Sequence, residues 1–427
     1  MSIVCTPRRK PAARLVTLVT LLSILLTACQ SGSDSADETA TSYSGPTVPT
    51  VIQMQATPTA AVTAEPTHSA ALDALLAPGP TSPPPDGVFF QFGDAIWYQP
   101  GAEPARPVVE GQRIGPWAQT SDGSRIALVR YRDENGQGVE ELVLVNNDGS
   151  SGDPVYGPTS ITGAGGGPTI TALDWSWDGQ SLALIRSDDT IWTMRFDPND
   201  PFRTKPPLEP VSLPGSGAPV ALAWAPSGAG LAYTIAGESG TALYVTASGD
   251  PARTVIAPGG SPSRGVRTFD WLPGRGRLVF VEVAGSQASH LPGSIFTIAP
   301  DGTLLELLVS AGQFAPAATI STLNAAPDGR FLAFTVQVPD GLGQLTFQSL
   351  WLLTIDSGEL RQVPIEAGYR VVDLAWSAGG LIWRGIDRNA RVPTDGRAYS
   401  GDEPFILGRF DPASGATSVV FQSTLVE

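Results

Sequence analysis

Cysteine, histidine and lysine are all scarce in this sequence. Its 427 residues include 2 Cys and 2 His, and its lysines are Lys10 and Lys205. Cys5 lies in a leading segment read below as removed, which leaves Cys29 as the one mature thiol. A single thiol excludes an internal disulfide and a zinc–thiolate cluster. His68 and His290 stand far apart, and no His-Glu-x-x-His or Gly-x-Ser-x-Gly occurs, so the common hydrolase signatures are missing. No long stretch carries a convincing helical period. What abounds is turn chemistry: 47 Gly and 39 Pro.

Those turn residues recur in a pattern. From Ala172 to Phe196 the chain reads as three strands joined by two polar turns. Strand a, Ala172 to Trp175, ends on an aromatic residue. The turn Ser176-Trp177-Asp178-Gly179 follows, with Gly free to take positive φ. Strand b, Ser181 to Ile185, is almost continuously apolar, as a strand covered on both faces should be. Strand c, Thr190 to Phe196, alternates. The a–b turn returns near Pro85-Asp86-Gly87, Ser121-Asp122-Gly123, Pro226-Ser227-Gly228, Pro273-Gly274, Pro327-Asp328-Gly329 and Gly379-Gly380, each before an apolar strand. Trp175, Trp224, Trp271 and Trp376 share the register just before the turn. A fourth strand follows in most copies, and the spacing of about 50 residues suits a four-stranded propeller blade. The expected fold is all-β: a β-propeller of seven blades, or six if the first copy, where Pro83 to Pro85 replaces the inner strand, does not count.

Pro-Asp-Gly, an apolar strand, Ile-Trp or Leu-Tyr, and then Asp-x-x-Gly resembles the repeat of TolB-like propellers over residues 84 to 427. Asp301-Gly302, Asp356-Ser357-Gly358 and Asp411 to Gly415 supply the last element. The resemblance implies fold more than function, because such blades serve in binding proteins, scaffolds and enzyme accessory domains.

Residues 1–28 read as an export signal: Arg8, Arg9, Lys10 and Arg14, then the apolar run Leu15 to Leu26, too short to span a membrane comfortably. Leu26-Thr27-Ala28-Cys29 resembles a bacterial lipobox. That resemblance implies diacylation of Cys29 and a lipid anchor on the extracytoplasmic side of the cell membrane. Residues 29–83 are Ser-, Thr-, Pro- and Ala-rich and read as a disordered tether, with room for a helical turn or two at Ala70 to Leu76. The propeller is expected from residue 84 to 427. Removing residues 1–28, with four basic and no acidic side chains, takes the formal charge from −15 to −19. Such a charge argues against nucleic acid as a partner.

No cofactor motif is present. Asp174, Asp270 and Asn324 share a register on strand a. They either converge on a cation in the central channel or bond backbone within their own blades. Long b–c loops are expected at about residues 130–141, 284–294, 339–348 and 384–404, with the connection 156–169 on the same face. Arg267, Arg370, Arg384, Arg388 and Arg391 fall there, as do Arg264 and Arg397. They form either an anion-binding patch or the ordinary consequence of a chain that uses Arg for Lys. The expected function is a lipid-anchored binding or scaffolding module that meets a protein or anionic envelope ligand through this face. The alternative is a propeller hydrolase acting on envelope glycan or peptide, since abundant carboxylates leave a glycosidase pair open.

Overall fold

The structure is a computed structural model that describes residues 69–423 apart from 93, 102, 161–165, 198, 200–204, 216, 248–249, 258–263, 285–292, 316–317, 340–344 and 388–404. The strands form seven antiparallel sheets in chain order: one of three strands and six of four. This is the seven-bladed propeller. Blade 1 spans 87–109, blade 2 113–160, blade 3 170–210, blade 4 218–256, blade 5 264–309, blade 6 319–363 and blade 7 369–422. Blade 1 has Gly87–Phe92, Ala95–Pro100 and Arg106–Val109 as strands b, c and d, and among the described residues no strand a.

The local reasons are those the repeats suggest. In the a–b turns Gly123, Gly179, Gly228 and Gly329 have φ between +65° and +70°, a region that costs a side chain but not glycine. The turn aspartate closes the loop: Asp178 Oδ1 accepts Gln180 N at 3.0 Å and Ser176 Oγ at 2.6 Å. Seven apolar clusters then fill the seven seams between neighbouring blades. Burial lies between blades, as in any repeat array whose units cannot cover their own faces.

Three expectations need correction. Residues 130–141 are not a loop. Strands Arg125–Glu134 and Gln137–Asn146 run on as one long hairpin, because Asn135 (φ 55°) and Gly136 (φ 80°) make a two-residue turn that matches strand twist. Tyr156–Ser160 is strand d of blade 2 rather than connection. The expected boundary at residue 84 is also too late. Ser69 caps a helix, Ala70–Leu76, by accepting Leu72 N at 3.1 Å, and Leu72 and Leu75 are buried in the seam of blades 4 and 5. Burying each such leucine stabilises by about 1.5–3 kcal/mol, enough to order a segment whose composition alone reads as tether.

Candidate binding face

The inner strands a ring a central channel. Each carries a bulge at one level: 115–116 in blade 2, Thr171, Val220, Arg267, 321–322 in blade 6, and Val372. A bulge turns an extra side chain out of the ladder, and Val220 is accordingly 53% exposed.

Below the bulges, the inner ends of the blades are tied by one polar bond per seam. Trp175 Nε1 donates to Ala118 O at 3.1 Å, tying blade 3 to blade 2. Trp271 Nε1 donates to Ala223 O at 3.1 Å, and Trp376 Nε1 to Asn324 O at 3.4 Å. In the alternate seams a carboxylate serves. Asp174 Oδ2 accepts Trp224 N at 2.7 Å, and Asp270 Oδ2 accepts Ala325 N at 2.8 Å. Both aspartates therefore reach the next blade, not just their own as one reading expected. Neither joins a metal cluster: among the described residues no group of three metal-ligating side chains occurs. Burial pushes the Asp174 carboxyl up to about 7 and the Asp270 carboxyl up to about 6; backbone N–H donors offset part of this, and the charge of Asp270 adds to the shift at Asp174. Trp175, Trp271 and Trp376 are buried, whereas Trp224 is half-buried and its indole N–H has no partner.

The two seams beside blade 1 differ because its inner strand is missing. Longer side chains reach the exposed edge of Gly87–Phe92: Arg384 Nη1 donates to Gln91 O at 3.3 Å, and Gln119 Oε1 accepts Phe89 N at 3.2 Å. Arg384 also stands opposite Asp373 across strands a and b of blade 7. Burial raises the Asp373 carboxyl, and the Arg384 charge holds it down in part.

Of the expected arginines, Arg267 lies in blade 5 and Arg370 and Arg384 in blade 7. Arg267 is the bulge residue of blade 5 and donates from Nη1 to Ile320 O of blade 6 at 3.0 Å; burial lowers its pKa. Arg370 and Arg384 lie on adjacent strands of blade 7, Tyr369–Ser377 and Gly380–Asp387. None of these three is on a loop, since each strand extends further than the apolar pattern suggests. Arg388, Arg391, Arg397 and Cys29 lie outside the described residues.

The pattern did not single out the blade 2 arm. Glu141, with a side chain 2% exposed, accepts Arg130 Nε at 3.0 Å and Arg132 Nη2 at 2.7 Å. Beside it buried Glu140 accepts Ile170 N at 3.0 Å and bonds the Tyr131 hydroxyl, locking the arm to blade 3; burial raises its pKa against those bonds. In blade 6, Gln348 occupies the matching place, accepting Val371 N at 2.6 Å and donating to Val371 O at 2.9 Å. Adjacent Glu140-Glu141 at the end of a strand otherwise apolar was the available signal.

No family model matches the chain, and no curated protein matches it. Among solved structures it is similar to a prolyl endopeptidase, at 12% identity and a TM-score of 0.53, over 84% of this chain and 51% of that one. It is also similar to a TolB-type protein from Agrobacterium tumefaciens (16% identity, TM-score 0.43, 63% of this chain and 83% of that one). An oligogalacturonate lyase in complex with manganese shows 12% identity and a TM-score of 0.49 over 81% and 86% of the two chains. Identities this low carry fold and not chemistry. In fold the chain is a seven-bladed β-propeller whose repeats resemble those of TolB-like propellers.

Proposed function

We propose that the protein is a lipid-anchored extracytoplasmic binding module, held to the cell membrane through Cys29, that recognises a partner protein with its b–c face. One observation carries this reading: the two ends of the propeller are built differently. On the a–b side the turns are tight, and the segment 77–86 runs across them. On the b–c side hairpins project, led by the blade 2 arm with its buried Glu141 anchor and by the nine- and ten-residue strands of blade 6. Rigid sheets holding varied projections are what recognition surfaces use. The basic residues Arg388 and Arg391, which lie in sequence between strands b and c of blade 7, favour an acidic patch on the partner.

The test is capture from envelope extract with three proteins: wild type, a variant with Arg388 and Arg391 both changed to Glu, and a variant with one c–d turn shortened. A partner lost with the arginine variant and kept with the turn variant is the expected result. Loss in the turn variant alone overturns the choice of face. Turnover of a glycan or peptide panel by purified protein would favour the hydrolase alternative instead.

A further inference from the structure

A propeller ring closes firmly when the two ends of its chain share one blade. Among the described residues they do not: blade 7 is complete within residues 369–422, and no described strand from elsewhere completes blade 1. Its seams with blades 7 and 2 hold apolar contacts and side-chain ties alone: Arg384 to Gln91 O and Arg409 to Gly101 O on one side, Gln119 to Phe89 N and Arg106 to Asn147 O on the other.

Residues 69–86 take a course that answers this. The helix Ala70–Leu76 is locked over blades 4 and 5 by Leu72 and Leu75, and Ser69 Oγ bonds Asp250 in blade 4. The chain then passes along the a–b turns in ring order. Gly79 lies on the blade 4 turn, so close that a Cβ there would sit 2.8 Å from Pro226 Cβ and 2.9 Å from Ser227 N. In blade 5 a Cβ on Gly276 would meet Leu76 O at 2.4 Å, and one on Gly274 would meet Thr81 at 2.8 Å. Ser82 N donates to Pro327 O of blade 6 at 3.3 Å, and Ala378 N of blade 7 donates to Pro85 O at 2.7 Å. Pro85 also packs on blade 2, 2.8 Å from where a Cβ on Gly123 would stand. Two residues later, at Gly87, the chain becomes the first strand of blade 1. The turn under the Pro84-Pro85 passage is also the shortest: Trp376 and Leu381 pair across it, against Trp175 and Leu182 in blade 3, so two residues are gone where the segment must fit.

We propose that residues 69–86 are a clasp that closes the ring in place of a shared strand. Blade 1 is covalently continuous with a segment whose far end is fixed on blades 4 and 5. It cannot swing out from between blades 7 and 2 without dragging that segment off the turns of blades 5, 6 and 7. Ordinary packing predicts that losing the segment loosens what lies under it. A clasp predicts that losing it loosens blade 1, whose own contacts are untouched.

The experiment places a specific protease site between Gly79 and Pro80 of the full chain and cuts the folded protein. Hydrogen exchange is then read by blade. The expected result is at least tenfold faster exchange of Gly87–Phe92 and Ala95–Pro100 after cutting, with blade 3 unchanged and a lower Tm. Unchanged exchange in blade 1 after complete cleavage overturns the proposal. So does acceleration confined to blades 4 and 5. Gly79→Val, which wedges the segment off Pro226 without cutting or backbone strain, should move blade 1 exchange in the same direction, and no change there counts equally against the clasp.

Discussion

Replacing Asp174 with Asn should make the protein more stable at pH 8, with a smaller gain at pH 5. The carboxyl sits at the inner ring, where burial raises it from 3.8 to about 7. A raised acid holds its proton more tightly in the fold than in the unfolded chain. Its contribution is therefore complete below the unfolded pKa and is lost as pH rises through the folded one. At about 1.36 kcal/mol per pH unit of displacement, ionising Asp174 in the fold costs at most about 4 kcal/mol, and ionising Asp270, raised to about 6, at most about 3. Both residues keep part of their surface exposed, which lessens both figures, so a gain of about 2 kcal/mol at pH 8 is expected for the single variant. Asn keeps an oxygen to accept Trp224 N, and blade 6 already carries Asn324 at this register. Urea unfolding of wild type and variant at pH 5, 6.5 and 8 measures the gap between them, which should open as pH rises. A gap that stays constant, or an Asp174→Asn protein less stable at pH 8, would refute the claim that desolvation outweighs the charged hydrogen bond.

Trp175→Ala should cost about 3–5 kcal/mol by creating a cavity and orphaning Ala118 O, and Trp224→Ala roughly half that, because Trp224 is only half-buried and its indole bonds nothing; thermal melts rank the two. Glu141→Gln should loosen the blade 2 arm, costing about 1–2 kcal/mol since both arginines can rehydrate, and exchange of residues 132–138 should quicken well before blade 2 itself unfolds. Cys29→Ala should abolish lipidation, and mass spectrometry of the mature N-terminus reads the result directly; an unmodified first residue other than Cys29 in the wild type would contradict the anchor.

The fold was legible because its signals are local. An Asp-Gly turn and an apolar strand occupy a dozen residues, and repetition multiplied them until even blade 5, with Pro273-Gly274 in place of Asp-Gly, could be placed. The aromatic register held for the same reason, and Trp224 departs from it only in its exposure. What stayed hidden depends on partners far along the chain. The Asp174 acceptor meets its donor 50 residues away. Residues 77–86 look unfoldable by composition, and turn residues far along the chain, from Gly123 to Ala378, give them a bed. Arg384 read as a loop residue because apolar character fades there, while the strand continues to Asp387.

The inner ring explains why Arg384 belongs to the scaffold. Asp174-Trp175 and Asp270-Trp271 each work in both directions, the indole reaching back one blade and the carboxylate forward one. Blades 2, 4 and 6 then need to supply only backbone: Ala118 O, Ala223 O with Trp224 N, and Asn324 O with Ala325 N. The polar repeat of the ring is thus two blades long, although the fold repeats every blade. Blade 7 keeps the backward tie through Trp376 but carries Ala375 where the aspartate would stand, and the next blade has no inner strand whose N–H an aspartate could accept. A side chain from strand b must cross the wider gap to a carbonyl, which calls for a long donor, and Arg384 is one. Its charge is therefore turned toward Gln91 and Asp373. Recognition through the b–c face, as proposed, rests on Arg388, Arg391 and the blade 2 arm, and an Arg384 variant that lost binding would report a disturbed seam before it reported a lost contact.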